Sequence, residues 1–297
     1  MEIDKKCAPG KTYDNGSCFT LEALQKIAKN YNKQPSTTHK IDISDDKEQL
    51  VKDLESKLSN KCDSQACWLR LNIVTELKDE NIEQYTFRPE GPKKQFEWLS
   101  TSDINDVVLQ YQEKYNDFVF FGAVPADFYD LKVLGIGNLD FNDMVKEGKT
   151  RGGLVINLDE HWKNGSHWVA LFFDLVKYQI YYFDSYGKKP YKRTKKFINK
   201  ILKFFYKSKF KKSLNINKLI TSLNEDSHTF TDKLKKFDIK YNKIQHQFNN
   251  SECGVYSMNF IIRLLHGETF TEITENITKD KDMNKCRSAY FINVDIK

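Results

Sequence analysis

The chain has 297 residues, 39% hydrophobic and 13% aromatic, which suits one sizeable core or a core plus an accessory segment and excludes a disordered chain. Net charge is +6, carried mostly by lysine, with only six arginines. No run of 18 apolar residues suggests a membrane-spanning helix, and MEIDKKCAPG at the start has no apolar stretch of the secretory kind, so a reducing compartment is expected.

The first ninety residues read as an accessory arm. A helix is expected over 20–31, capped by Thr20, with Leu21, Leu24, Ile27 and Tyr31 on one face. A second starts after Ser44 and turns Leu50, Val51, Leu54 and Leu58 inward; a third covers about 66–77. FRPEGPKKQ, 87–95, with two prolines and a glycine, is the best linker, which divides the chain into 1–90 and 91–297. WLSTSDINDVVLQYQEKY then patterns as an amphipathic helix starting near Ser102 or Asp103. DFVFFGAVP holds a short apolar run ended by Gly122 and Pro125.

Strands follow at 154–158, 167–175 and 178–185, the last two forming a hairpin turned at 176–177. Pro190 suits the first position of a basic helix, KKPYKRTKKFINKILKFFYKSKFKK, 188–212. Its Phe197, Ile201 and Phe204 share a face, as do Ile198, Leu202 and Phe205. A strand at about 242–247 leads into a helix over 253–265. Strands in the middle with helices mainly at the two ends indicate an α+β fold.

The six cysteines, Cys7, Cys18, Cys62, Cys67, Cys253 and Cys286, lack zinc-ligand spacing, so no metal and no cofactor is expected. Cys253 stands apart, in QHQFNNSECGVYSMNF. A thiol attacks as its thiolate, and a helix N-terminus favours that anion. Gly254 leaves room beside it for substrate. His167 heads one strand of the hairpin and Asp184 ends its antiparallel neighbour, so both fall at one edge of the sheet, where the acid can orient the imidazole. Gln247 adds a side-chain amide able to donate to an oxyanion beside the backbone N–H of Cys253. Each residue alone has a bland reading in packing or a turn; the signal is the set in this order.

Asp174 is a rival acid, but a strand of seven residues separates it from His167 by roughly 20 Å. His246 is a rival base whose side chain points opposite to that of Gln247 on a strand. His161 lies in a loop with no assignable acid. The basic block reads first as a solvated cationic face; the alternative is weak, salt-sensitive contact with a polyanion or DNA through 188–212.

HW at 167–168, Asp184 seventeen residues later and QFNNSECG at 247–254 resemble the adenovirus-endopeptidase and SUMO-protease superfamily of papain-like cysteine peptidases. The resemblance covers about 95–297. It implies a central mixed sheet flanked by helices, with His167 as general base or imidazolium partner, Asp184 orienting it, Cys253 forming the acyl-enzyme and Gln247 in the oxyanion hole. Trp168 would wall a narrow channel that admits glycine best. WLSTSDI, 98–104, resembles the family's WLND-type helix start, which makes Trp98 a second substrate-contacting candidate. Thr101 stands where cellular members carry an aspartate that helps hold a ubiquitin-like body.

CAPGKTYDNGSCFTLEALQKIAKNYN and CDSQACWLR are similar to the arm of the cysteine proteases of large nucleocytoplasmic DNA viruses, the asfarvirus type included. The lysine-, asparagine-, isoleucine- and tyrosine-rich composition fits an AT-rich genome. This resemblance implies a monomeric endopeptidase that cleaves viral structural polyproteins after Gly-Gly during virion maturation, in the host cytoplasm at assembly sites and in the virion, with the arm recognising substrate. The alternatives are a protease for ubiquitin-like modifiers and a non-catalytic binding module. Iodoacetamide should therefore alkylate Cys253 faster than the other five cysteines, and Cys253→Ala should remove the fast phase; equal rates at all six contradict a nucleophile.

Overall fold

The computed structural model describes residues 16–35, 37–62, 65–69, 71–79, 82, 88–92, 94–211 and 237–291. Cys7, most of the CAPGKTYDNGS stretch and Lys212 of the basic block lie outside the described residues. The chain divides into two compact units, Met1–Lys93 with Arg287–Lys297, and Lys94–Cys286. The expected division at residue 90 keeps the whole C-terminal part in the second unit; residues from Arg287 instead group with the first, where Arg88 Nη1 donates to the Ser288 carbonyl at 2.6 Å.

The first unit is helical. Helix α1, Leu21–Asn32, starts where the Thr20 hydroxyl accepts the Ala23 N–H, and it buries Leu24 and Ile27. Helix α2, Lys47–Leu58, is capped by Asp46 and buries Leu50, Val51, Leu54 and Leu58. The single helix expected over 66–77 is two short ones, α3, Gln65–Trp68, and α4, Asn72–Thr75, separated by Leu71 in an extended conformation. The break has a reason: Trp68, Leu69, Ile73 and Val74 are all buried. An unbroken helix would turn a residue five positions on by about 140° away from the core. Cys18 and Cys62 are each disulfide-bonded and buried, which departs from the reduced state expected of every cysteine outside a secreted protein. Cys253 and Cys286 carry thiols and are in no disulfide.

The second unit opens with helix α5, Thr101–Val108. It starts one residue before the expected Ser102, because Ser100 caps it and forms a reciprocal capping box with Asp103. Helix α6, Tyr111–Lys114, leads into a five-stranded sheet in the order β1-β2-β3-β4-β5. The strands are β1, Phe118–Val124; β2, Arg151–Asn157; β3, Trp168–Asp174; β4, Gln179–Phe183; and β5, Asp238–Tyr241. The outer pairs β1–β2 and β4–β5 are parallel and the inner pairs antiparallel, so the sheet is mixed.

Alternation along the strands separates two apolar faces. One face carries Leu154, Ile156, Leu171, Phe173 and Tyr182 and is covered by helix α7, Phe141–Lys146, and helix α8, Lys192–Phe210. The other receives helix α9, Cys253–Leu265, whose Phe260 stacks on Phe183 at 4.9 Å between ring centroids. Two short helices follow, α10, Phe270–Glu275, and α11, Asp280–Lys285. Helix α12, Arg287–Tyr290, lies in the first unit.

Two expectations need correction. Tyr191, not a residue before Pro190, is the cap of α8, so Pro190 precedes the helix rather than opening it. The strand expected at 242–247 is β5, four residues earlier. Asn242 ends the ladder because its side chain takes over the backbone's bonding, accepting the Asp184 N–H at 2.8 Å and donating to the Asp184 carbonyl at 2.6 Å.

Phe197 on α8 is fully buried against the rings of Phe128, Phe141 and Phe173, at centroid separations of 5.7 to 6.1 Å. Phe197→Ala is expected to cost about 3–5 kcal/mol in urea denaturation. A loss under about 1 kcal/mol contradicts this packing.

Candidate active site

The β3–β4 hairpin sets the first contact. Ala170 pairs with Phe183, so His167, just before β3, and Asp184, just after β4, emerge at one end of the sheet. His167 Nε2 lies 2.8 Å from Asp184 Oδ1. With Nε2–H donating to the carboxylate, Nδ1 is the nitrogen left to exchange a proton. The backbone is held as firmly as the side chains: the His167 carbonyl accepts the Leu158 N–H at 2.9 Å, and Asn242 grips both backbone groups of Asp184. Continuing the hairpin register sets Tyr186 opposite His167, and the two rings stack at 4.6 Å and 22°.

Cys253 is the first residue of α9 and is buried. Gly254 behaves differently from the expectation that it clears space for substrate. A Cβ there would meet the Leu99 side chain at 3.0 Å, so glycine lets α9 approach the segment before α5. The Leu99 carbonyl in turn accepts the Trp168 indole N–H at 2.9 Å. Trp168 is thus fixed and largely buried, whereas Trp98 is half exposed.

The electrostatics tie the three groups together. Burial disfavours a charged imidazole, but hydrogen bonding to Asp184 and to Cys253, together with the charges of both, outweighs it and raises His167 from 6.5 to about 9. The imidazolium is therefore the resting form at neutral pH.

Gln247 is fully buried. Its Nε2 donates to the Asn249 carbonyl at 2.9 Å and its Oε1 accepts the Ser185 hydroxyl at 2.6 Å. The loop from Gln247 to Cys253 is clamped by Asp280, whose Oδ2 accepts the N–H groups of Phe248 and Asn249, both at 2.8 Å. On the other side Glu252 is buried, bonded to Ser251 and to Asn284.

The rival residues have other work. Asp174 accepts the Val176 and Lys177 N–H groups and builds the hairpin turn. His246 is buried, with Nε2 3.1 Å from the Thr274 carbonyl, and burial lowers its pKa. His161 does have an acid, Asp127, at 2.7 Å, and this pair anchors the loop that precedes His167. Asn242, Ser185, Tyr186 and Asp280 are absent from the sequence reading. Of these only Tyr186 carried a signal, its register opposite His167. Among the described residues no cluster of His, Cys, Asp and Glu suits a metal ion, and no helix is long and apolar enough to cross a membrane.

A buried cysteine at a helix N-terminus, coupled to an imidazole that a buried carboxylate holds, is the arrangement of a thiol peptidase. Residues 155–295 match the C-terminal catalytic domain of the Ulp1 protease family. A protein named "Putative thiol protease" from Acanthamoeba polyphaga mimivirus is 37% identical over 309 residues, covering 97% of this chain and 93% of that protein. The cysteine protease of African swine fever virus is 24% identical over 269 residues, covering 82% of this chain and 88% of that protein. Its crystal structure aligns over 86% of this chain and 94% of that one, with 22% identity and a TM-score of 0.49. The chain belongs to the Ulp1 protease family and is a viral cysteine protease.

Because the folded pKa of His167 is raised, the charged form and the stabilisation it brings are complete below 6.5 and are lost as pH rises through about 9. Activity that needs the protonated imidazole should fall on the same limb. A kcat/KM profile should show that fall near 9, displaced to lower pH in Asp184→Asn; a wild-type limb near 6.5 contradicts the coupling.

Proposed function

We propose that this protein is an endopeptidase that cleaves viral structural precursor polyproteins after Gly-Gly during virion maturation, acting as a monomer at assembly sites in the host cytoplasm and in the virion. The observation that carries the reading is the shared imidazole: His167 is bonded to Asp184 at 2.8 Å and coupled to Cys253 at the start of α9.

In this reading the Cys253 thiolate attacks the scissile carbonyl. The oxyanion is met by the Cys253 N–H and by the Nε2 hydrogen of Gln247 that Asn249 does not take. The His167 imidazolium gives its proton to the leaving amine, and the neutral ring then takes one from the water that hydrolyses the thioester. Asp184 keeps the ring oriented through both steps. The Gly-Gly preference is supported by the rigid wall around the nucleophile. Trp168 is pinned to Leu99, and Leu99 packs on Gly254, so a substrate residue without a side chain passes most easily.

The helical arm would add substrate recognition. The outward lysines of α8 offer weak, salt-sensitive contact with a polyanion such as DNA. Several cations of that helix are already engaged, among them Arg193 with Glu160, Lys196 with Asp130, Lys200 with the Gly137 carbonyl and Lys209 over the Tyr178 ring.

The second reading is removal or processing of a ubiquitin-like modifier, favoured by the name "SUMO-1 cysteine protease" carried by African swine fever virus relatives. The start of α5 supports the first reading over it. Thr101 offers no carboxylate there, and that of Asp103 is held by the Ser100 N–H and hydroxyl, both at 2.7 Å. Two substrates separate the readings, a short peptide with an internal Gly-Gly-Xaa and a folded ubiquitin-like protein ending in Gly-Gly with a fused reporter, each run beside Cys253→Ala. Cleavage of the short peptide alone is the expected result. Cleavage of the folded fusion alone overturns the maturation reading in favour of deconjugation.

A further inference from the structure

We propose that Ser185 is a positioning residue that sets the direction in which Gln247 presents its amide to the reacting carbonyl; this rests on the reading of Gln247 as the oxyanion donor. A side-chain amide has two ends of nearly equal shape and opposite chemistry, so a pocket must choose between them. The Asn249 carbonyl only accepts, which requires Nε2 at that contact of 2.9 Å. Oε1 then faces the Ser185 hydroxyl at 2.6 Å, and the hydroxyl donates.

Both residues are fully buried, so no bulk water competes for either end. With Oε1 and one Nε2 hydrogen engaged, the planar amide has a single direction left for its second hydrogen. The serine backbone adds to this, since its carbonyl accepts the N–H groups of His246 and Gln247 at 2.8 and 2.9 Å. Ser185 is bonded in sequence to Asp184, which holds the imidazole. One peptide unit thus fixes the general acid through Asp184 and the oxyanion donor through Ser185. A serine that only packed the loop would need its backbone contacts and not the hydroxyl.

The test is the kinetics of Ser185→Ala, Gln247→Ala and the double variant on a Gly-Gly-Xaa peptide, with the iodoacetamide rate of Cys253 measured for each. Ser185→Ala should lower kcat roughly 10- to 100-fold, below the roughly 100- to 1000-fold of a deleted oxyanion donor, with KM little changed. Alkylation of Cys253 should keep its wild-type rate, because the imidazole pair is untouched. Adding Ser185→Ala to Gln247→Ala should cost less than about a further twofold, since the hydroxyl acts only through the amide. Ser185→Cys, similar in size but a weaker donor, should fall between wild type and Ser185→Ala and guards against misfolding of the alanine variant.

Multiplying losses in the double variant overturn the proposal, as does alkylation slowed in step with kcat. Wild-type kcat in Ser185→Ala beside a slow Gln247→Ala overturns it while leaving the oxyanion reading intact. A Gln247→Ala enzyme of full activity removes that reading and the proposal with it.

Discussion

The buried bond between His167 and Asp184 is the constraint on which the rest of the peptidase unit depends. A carboxylate with no solvent exposure is costly to fold unless its charge is met, and here the imidazolium meets it. That requirement fixes the hairpin, because only antiparallel β3 and β4 in this register deliver both residues to one end of the sheet. It also fixes the start of α9, since the sulfur must reach the same ring whose proton it shares.

The surrounding loops answer a second demand, that buried polar groups find partners. Asn242 replaces a ladder that stops after β5 and holds the Asp184 backbone on both sides. Asp280 receives two amides of the loop after Gln247, and the Tyr256 hydroxyl of α9 lies 3.1 Å from the same carboxylate. Asp127 anchors the loop before His167 through His161. These contacts join segments remote in sequence, and each leaves a functional side chain with little freedom. Such preorganisation lets dipoles act without reorganising during reaction.

Much of this was legible in the chain. Thr20 announces α1 because a side-chain oxygen before an apolar stripe has one good use, whereas α2, expected to start after Ser44, begins two residues later at the cap Asp46. The hairpin was legible because its apolar runs flank a short link, and the candidate residues followed from its geometry. What escaped were side chains whose role depends on a distant partner. Nothing near Asn242 says that it will grip Asp184, and nothing near Ser185 says that Gln247 will lie across from it. The break between α3 and α4 was hidden because the apolar positions suit either one helix or two until the core decides. The disulfides at Cys18 and Cys62 were discounted on compartment, an argument blind to what the fold brings together.

Asp184 and Cys253 together keep His167 protonated at neutral pH. Nitrogen-15 chemical shifts of the His167 ring, followed through a pH titration of the wild-type protein, measure that proton directly. The imidazolium is expected to persist through neutrality and to titrate near 9. A ring that loses its proton near 6.5, as an ordinary histidine does, would contradict it.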